Sequence, residues 1–304
     1  MPRLFTALSI LLLSTAASMQ SCTLESQECI DAKAKVAQLE SQRKDWASLA
    51  TYREANAQLP LPTKDHTRVV FLGDSITARW ADHGFGNFFS GKPYINRGIG
   101  GQHTPQILLR FRPDVIALKP RVVVILAGTN DIAFANIQDV SDITNPNTFE
   151  AIADNLISMA ELARVNDILV VLASLLPVSD YEKEKDGKQR IRTVHRPPAQ
   201  IKALNEWIKG YAARSGHTYL DYHSAMIDEK GFLRDELSDD GLHPNDNGYA
   251  VMAPLAEQAI ATAQKSKKED QNRSKRRATT TMKENVMGMI HKRGAPLFFT
   301  DGRT

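Results

Sequence analysis

Two runs of this chain, Val69-Val70-Phe71-Leu72 and Val122-Val123-Val124-Ile125-Leu126, are apolar at every position and rich in β-branched residues. A strand with one face in water alternates apolar and polar residues. An unbroken run instead has both faces covered, as in a parallel sheet lying between two layers of helices. Both runs end close to a glycine, Gly73 in the first and Gly128 in the second. Further strand candidates are Tyr94–Ile95, Ile168–Leu172 and Thr218–Leu220, with helical patterns at 104–118, 149–165, 198–213 and 247–263. Strand and helix in alternation mean βαβ units. The expectation is a three-layer α/β/α domain over residues 63–264, built on a parallel sheet of roughly five strands.

The segments on either side have other characters. Arg3 precedes an apolar stretch from Leu4 to Leu13, and small residues follow from Ser14 to Ser18. That is the layout of an export signal over residues 1–21, and the apolar part is shorter than the roughly 20 residues of a membrane-spanning helix. Ser21-Cys22 resembles the cleavage point of a bacterial lipoprotein, although Met19 and Gln20 depart from the usual leucine and small residue there. Two fates are open to Cys22: lipidation, which would tether the protein to a membrane, or pairing with Cys29, the only other cysteine. Residues 22–62 form a helical segment in which Val36, Leu39, Trp46 and Leu49 make one narrow apolar stripe over 30–58, closed by Pro60 and Pro62.

The tail, residues 265–304, lacks periodicity and is expected to be disordered. It holds eleven Lys/Arg against four Asp/Glu, a surplus of seven, so a chain of net charge +3 leaves −4 for residues 1–264. A mildly acidic folded part argues against nucleic acid as a partner. A charged insertion, Asp180 to Arg196, interrupts the strand–helix scheme before Pro197-Pro198 and reads as a surface loop.

Four segments carry chemistry-bearing residues. Gly73-Asp74-Ser75 stands at the carboxyl end of the first strand, where α/β sheets hold their ligands. Asn96-Arg97-Gly98-Ile99-Gly100-Gly101-Gln102 follows the second strand, and its glycines admit close approach of backbone to a bound group. It lacks the spacing of a phosphate loop. Gly128-Thr129-Asn130-Asp131 follows the third strand and offers an uncharged amide donor. Asp240-Gly241-Leu242-His243 precedes the last helix, and an aspartate three residues before a histidine can fold back onto one imidazole nitrogen, leaving the other as a base. Asp74, Asp131 and Asp239 read as turn or capping groups, and Trp80 and Phe85 as core. His83 and His103 lie near the first two segments without a carboxylate suited to a base, and His195 sits between Arg192 and Arg196 as an exposed residue. No His/Cys/Asp grouping has metal-ligand spacing, and no cofactor is expected.

In order and approximate spacing the four segments resemble the blocks of the SGNH, or GDSL-type, hydrolases over about residues 65–265. The resemblance implies Ser75 as nucleophile, His243 as base and Asp240 as the group orienting it. It implies an oxyanion hole made by the Ser75 N–H, the Gly101 N–H and the Asn130 side chain. It departs from the family at Gln102, where many members carry Asp. In such a family an exported chain with no apolar lid implies a short acyl group, such as acetyl on a carbohydrate. Hydrolysis of lysophospholipids or thioesters stays open, as does a carbohydrate-binding scaffold without turnover.

Overall fold

The computed structural model describes residues 27–62, 67–81, 88–137, 149–180, 191–266 and 269. The export-signal and lipidation readings, His83, Phe85, most of the charged insertion and nearly all of the tail lie outside them. The chain divides into two compact units, Met1–Glu54 and Ala55–Thr304.

In the first unit, α1 spans Gln27–Lys44. Asp45 then turns the chain, its carboxylate accepting the N–H groups of Leu49 and Ala50 at 2.7 and 2.9 Å. Helix resumes only at α2 (Arg53–Gln58). The stripe expected over 30–58 is therefore not one helical face: Val36 and Leu39 lie on α1, Trp46 and Leu49 in the turns after it. Cys29 is buried and disulfide-bonded. The second unit begins ahead of Pro60, because Asn56 is built into it. The Asn56 amide nitrogen donates to Pro113 O and Asp114 Oδ1, at 3.2 and 2.7 Å, and its Oδ1 accepts from Arg97 Nε at 2.8 Å.

The second unit carries a five-stranded sheet: β1 (Val69–Gly73), β2 (Tyr94–Gly98), β3 (Val122–Leu126), β4 (Leu169–Ala173) and β5 (Thr218–Leu220). All neighbours are parallel, in the order β2-β1-β3-β4-β5. Every residue of β1 and β3 is buried, as their unbroken apolar runs require. Between the strands run α3 (Ser75–Arg79), α4 (Thr104–Asp114), α5 (Thr129–Ile137), α6 (Phe149–Val165), α7 (Arg192–His195), α8 (Pro198–Ser215) and α9 (His223–Met226). A last helix, α10, covers residues 246–266. The chain reverses direction across the sheet between β1 and β3, and at such a switch point the connecting loops diverge and leave a crevice beyond the strand ends.

β2 runs three residues further than its apolar character suggests. It is an edge strand whose polar residues find partners: Asn96 Nδ2 donates to Thr77 O at 2.6 Å, and Asn96 Oδ1 accepts the Gly98 N–H at 2.9 Å. The extension matters for register. Gly73 of β1 pairs with Gly98 of β2 and with Leu126 of β3, so three strands end level. Their continuations, Ser75, Gly101 and Asn130, therefore leave the sheet side by side.

The first turn after β1 is held from below by aromatic packing. Trp80 stacks on Tyr249 with ring centres 5.1 Å apart, and Phe71 meets Trp80 edge-on at 5.8 Å. The Tyr249 hydroxyl donates to Ile76 O at 2.7 Å. Gly98 lies so close under α3 that a Cβ there would collide with the backbone of Thr77 and Ala78. Backbone cannot swing aside as a side chain can. Gly98→Ala should lower stability by about 1–3 kcal/mol or more, read as a fall in the urea midpoint, and should move α3 enough to reduce turnover. An unchanged midpoint would show that this contact is not close.

Candidate active site

Asp74 is the N-cap of α3, its carboxylate accepting the Ile76 N–H at 2.9 Å, and this starts the helix with Ser75 as its first residue. Burial is the largest influence on Asp74 and pushes its carboxyl up to about 7, against the Ile76 N–H and the charge of Arg196. The other carboxylate oxygen has no hydrogen-bond partner among the described residues.

The Asp240–His243 segment folds as a tight turn. Asp240 Oδ1 accepts the N–H groups of Leu242 and His243, at 3.0 and 2.8 Å. That leaves Oδ2 for the ring of the same histidine, His243 Nδ1, at 2.7 Å. Burial works to raise the Asp240 pKa, yet the bonds and charge of His243 outweigh it, and the carboxyl lies below the ordinary carboxylate range. An ionised carboxylate only accepts, so Nδ1 carries a proton, and in the neutral imidazole Nε2 then keeps its lone pair. Ser75 Oγ lies 2.9 Å from that Nε2, and its hydroxyl is therefore the donor. Ser75, His243 and Asp240 thus form one hydrogen-bonded chain.

The turn after β2 passes over Ser75, close enough that a Cβ on Gly100 would lie 3.8 Å from the Ser75 Cβ. Gly101 adopts φ +75, a conformation that costs most other residues energy. Asn130 is joined to this turn, its Nδ2 donating to Gln102 O at 3.1 Å. The structure thus brings Ser75, Asp240 and His243 together, and sets the Gly101 turn and Asn130 beside them.

Gln102 explains the departure at its own position. It is buried, and its side-chain oxygen accepts from Arg110 Nε at 2.7 Å. The same guanidinium pairs with Asp114 at 2.6 Å and donates to Arg97 O at 3.2 Å. With Asp114 already supplying the counter-charge, a neutral acceptor at 102 completes the set.

Asp131 does cap a helix, but one distant in sequence. It accepts the Thr104 N–H at 2.9 Å and the Thr104 hydroxyl at 2.6 Å, at the start of α4. Burial raises its pKa against these bonds. Asp239 is exposed beside Asn245, and His103 sits at the head of α4 with Phe134 edge-on at 5.2 Å.

The reading of Asp180 to Arg196 as a surface loop needs correcting at its end. Residues 192–195 form α7; Arg192 and Arg196 turn toward the site, and His195 is only half-exposed. Arg192 Nε donates to Asp240 O at 3.0 Å, and its terminal nitrogen reaches Asp240 Oδ2 at 3.3 Å. Arg196 is buried and donates to Thr129 Oγ1 and to Asn130 Oδ1, each at 3.2 Å. Neither residue was singled out from sequence. The available signal was two arginines four residues apart, in an insertion that must rejoin the sheet at Pro197-Pro198.

A family model described as GDSL-like Lipase/Acylhydrolase matches residues 71–251, more than half of the chain. The chain belongs to this family. Membership carries the reaction class, so the domain is one of the carboxylic ester hydrolases. A solved GDSL-like lipase from Bacteroides thetaiotaomicron is 38% identical, covers 71% of this chain and 98% of its own, and superposes with a TM-score of 0.61. An acetylxylan esterase of Xylanibacter ruminicola is 24% identical over 226 residues, 66% of this chain and 45% of that protein. The Bacillus subtilis lipoprotein YqeF, itself uncharacterized, is 33% identical over 97 residues, 32% of this chain and 36% of that protein. The chain therefore spans less than half the length of these two curated relatives. Among the described residues no three His/Cys/Asp/Glu side chains gather as a metal site would require. No helix among them is long and apolar enough to cross a membrane.

The elevated Asp74 pKa has a measurable consequence. A carboxyl whose folded pKa exceeds its unfolded value stabilises the fold at low pH, and that contribution is lost as pH rises through the folded value. The window here runs from about 4 to about 7. Asp74→Asn keeps the oxygen that caps α3 and removes the charge. Its urea midpoint, taken relative to the unaltered protein, should therefore rise between pH 5 and pH 8. A difference independent of pH would show that Asp74 ionises normally.

Proposed function

We propose that this protein is an exported serine esterase that removes short acyl groups, acetyl foremost, from a carbohydrate. Turnover passes through an acyl-serine. The observation that carries this reading is the chain from Ser75 Oγ through His243 to Asp240, with contacts of 2.9 and 2.7 Å. His243 Nε2 takes the Ser75 proton as Oγ bonds to the ester carbonyl carbon. The carbonyl π pair moves onto oxygen, and the N–H groups of Ser75, Gly101 and the Asn130 side chain receive that charge. When the tetrahedral adduct collapses, the alcohol leaves with the proton held by His243. Water then repeats the sequence on the acyl-serine: His243 takes its proton, the acid departs and Ser75 is restored. Asp240 holds the imidazole in the required tautomer throughout.

The carbohydrate side of the proposal draws support from the likeness to an acetylxylan esterase. Export draws it from the likeness to a lipoprotein and from the signal-like first 21 residues. A lipid tether through Cys22 is the alternative to free release, and it excludes the disulfide at Cys29. In domain terms we propose a signal over 1–21, a helical spacer over 22–62, the hydrolase over 63–264 and a non-catalytic basic tail over 265–304.

The test is hydrolysis of p-nitrophenyl esters of increasing acyl length, together with acetate release from acetylated xylan. Ser75→Ala and His243→Ala should abolish turnover with the melting temperature preserved. Asn130→Ala should lower kcat by about 10²–10³ with KM little changed, because it acts on charge that exists only in the transition state. A phosphonate should label Ser75 alone. kcat/KM should fall from acetyl or butyryl to octanoyl, since an enzyme with an apolar channel would gain roughly 0.8 kcal/mol for each CH₂ buried. An optimum at octanoyl or beyond would make it a lipid acylhydrolase, absence of turnover by the unaltered protein would make it a binding scaffold, and wild-type turnover by Ser75→Ala would overturn Ser75 as the nucleophile.

A further inference from the structure

Helix α7 is only one turn long, yet its end and the residue after it reach both halves of the site. Arg192 grips Asp240 through the backbone oxygen at 3.0 Å and the carboxylate at 3.3 Å. Four residues on, Arg196 grips Thr129 Oγ1 and Asn130 Oδ1. One short helix and the residue that ends it thus span from the acid of the triad to the amide beyond β3.

The Arg196 contact is the more revealing of the two. An arginine can only donate hydrogen bonds and a backbone carbonyl can only accept them. Asn130 lies between one of each, the Arg196 guanidinium and Gln102 O. Its oxygen must therefore face Arg196 and its nitrogen must face the glycine turn that passes over Ser75. The reverse orientation would set two donors against each other and two acceptors against each other. Gln102 O occupies one of the two amide hydrogens, and the second remains available on the same side. A cation held against the amide oxygen also draws electron density from the nitrogen and makes its N–H a stronger donor.

The charges of Asp74 and Asp240 favour the Arg196 cation, but burial opposes it more strongly. Arg196 is 9% exposed, and its hydrogen bonds go to two neutral oxygens. Burial is the largest influence on it and lowers its pKa to about 10. A buried cation costs desolvation energy that an apolar residue of similar volume would not.

We propose that Arg196 is a positioning residue that locks the Asn130 amide in the one orientation able to donate to the oxyanion. This rests on the oxyanion role assigned to Asn130 above. Arg196 touches neither substrate nor Ser75, and its whole effect on turnover passes through Asn130.

The experiment is a double-mutant cycle on the full chain with p-nitrophenyl acetate, comparing wild type, Asn130→Ala, Arg196→Ala and the double variant. Arg196→Ala should lower kcat by about 10²-fold, the cost of a misplaced group, and leave KM unchanged. In the Asn130→Ala background the same change should cost nothing further. A double variant reduced by the product of the two single losses would overturn the proposal, as would an Arg196→Ala defect confined to KM. If Arg196→Ala melts below the assay temperature, Arg196→Lys carries the same cycle, and a kcat loss that persists without Asn130 overturns it. Wild-type kcat in Asn130→Ala would remove the oxyanion role and this proposal together. An impaired Asn130→Ala beside fully active Arg196 variants would remove this proposal alone.

Discussion

The site depends on three parallel strands ending at one level. Gly73, Gly98 and Leu126 are partners in register, and each strand passes within a few residues into a segment that carries a functional group. In a parallel sheet the register is set along the whole ladder. The apolar residues of β1 and β3, buried on both faces, resist a slip because any shift would move them out of the layers they fill. Forces that belong to the core therefore place Ser75, the glycine turn and Asn130 within reach of one another. No separate interaction has to draw them together.

Cross-links then remove the freedom that loops of this kind would keep. Arg110, wholly buried, joins Gln102, Asp114 and Arg97 O beneath the glycine turn. Asp131 ties the segment after β3 to the start of α4 through Thr104, and Asn155 of α6 donates to the Thr104 hydroxyl at 3.0 Å. These contacts explain why acidic and basic side chains lie in a region that hydrophobic burial alone would fill with apolar ones. Arg110 and Asp131 are matched by acceptors and donors of fixed geometry, and the backbone around the site is fixed with them.

The fourth segment reaches the site by a different route. Asp240 and His243 lie outside the sheet, in a turn that closes on itself through the Asp240 carboxylate. Such a turn is self-contained, but its position is not. Ser238 donates to His243 O at 2.7 Å, the Ser238–Pro244 bridge steadies the segment, and Arg192 holds Asp240 from the far side. A local motif supplies the shape of the histidine–aspartate pair, and long-range contacts supply its aim.

Much of this was legible in the order of residues. Unbroken apolar runs announce strands buried on both faces, and glycine followed by a short polar residue marks where such strands deliver chemistry. Three of the four segments could be singled out in this way and the fourth by its Asp-x-x-His spacing, and the resemblance to the SGNH hydrolases attached roles to Ser75, Asp240, His243, Gly101 and Asn130. The strand limits were read less well where tertiary contacts outweighed composition, as at Asn96 and Arg97, whose polar side chains are satisfied by Thr77, Asn56 and the chain itself. The same cause hid the residues that support the site. Arg110, Arg192 and Arg196 look like ordinary surface charges in sequence, because their partners lie 8 to 67 residues away, apart from Asp114, four residues from Arg110. Periodicity and spacing record what neighbours in the chain do together. Which distant groups meet is settled only when the sheet closes and the loops at its carboxyl end are packed against one another.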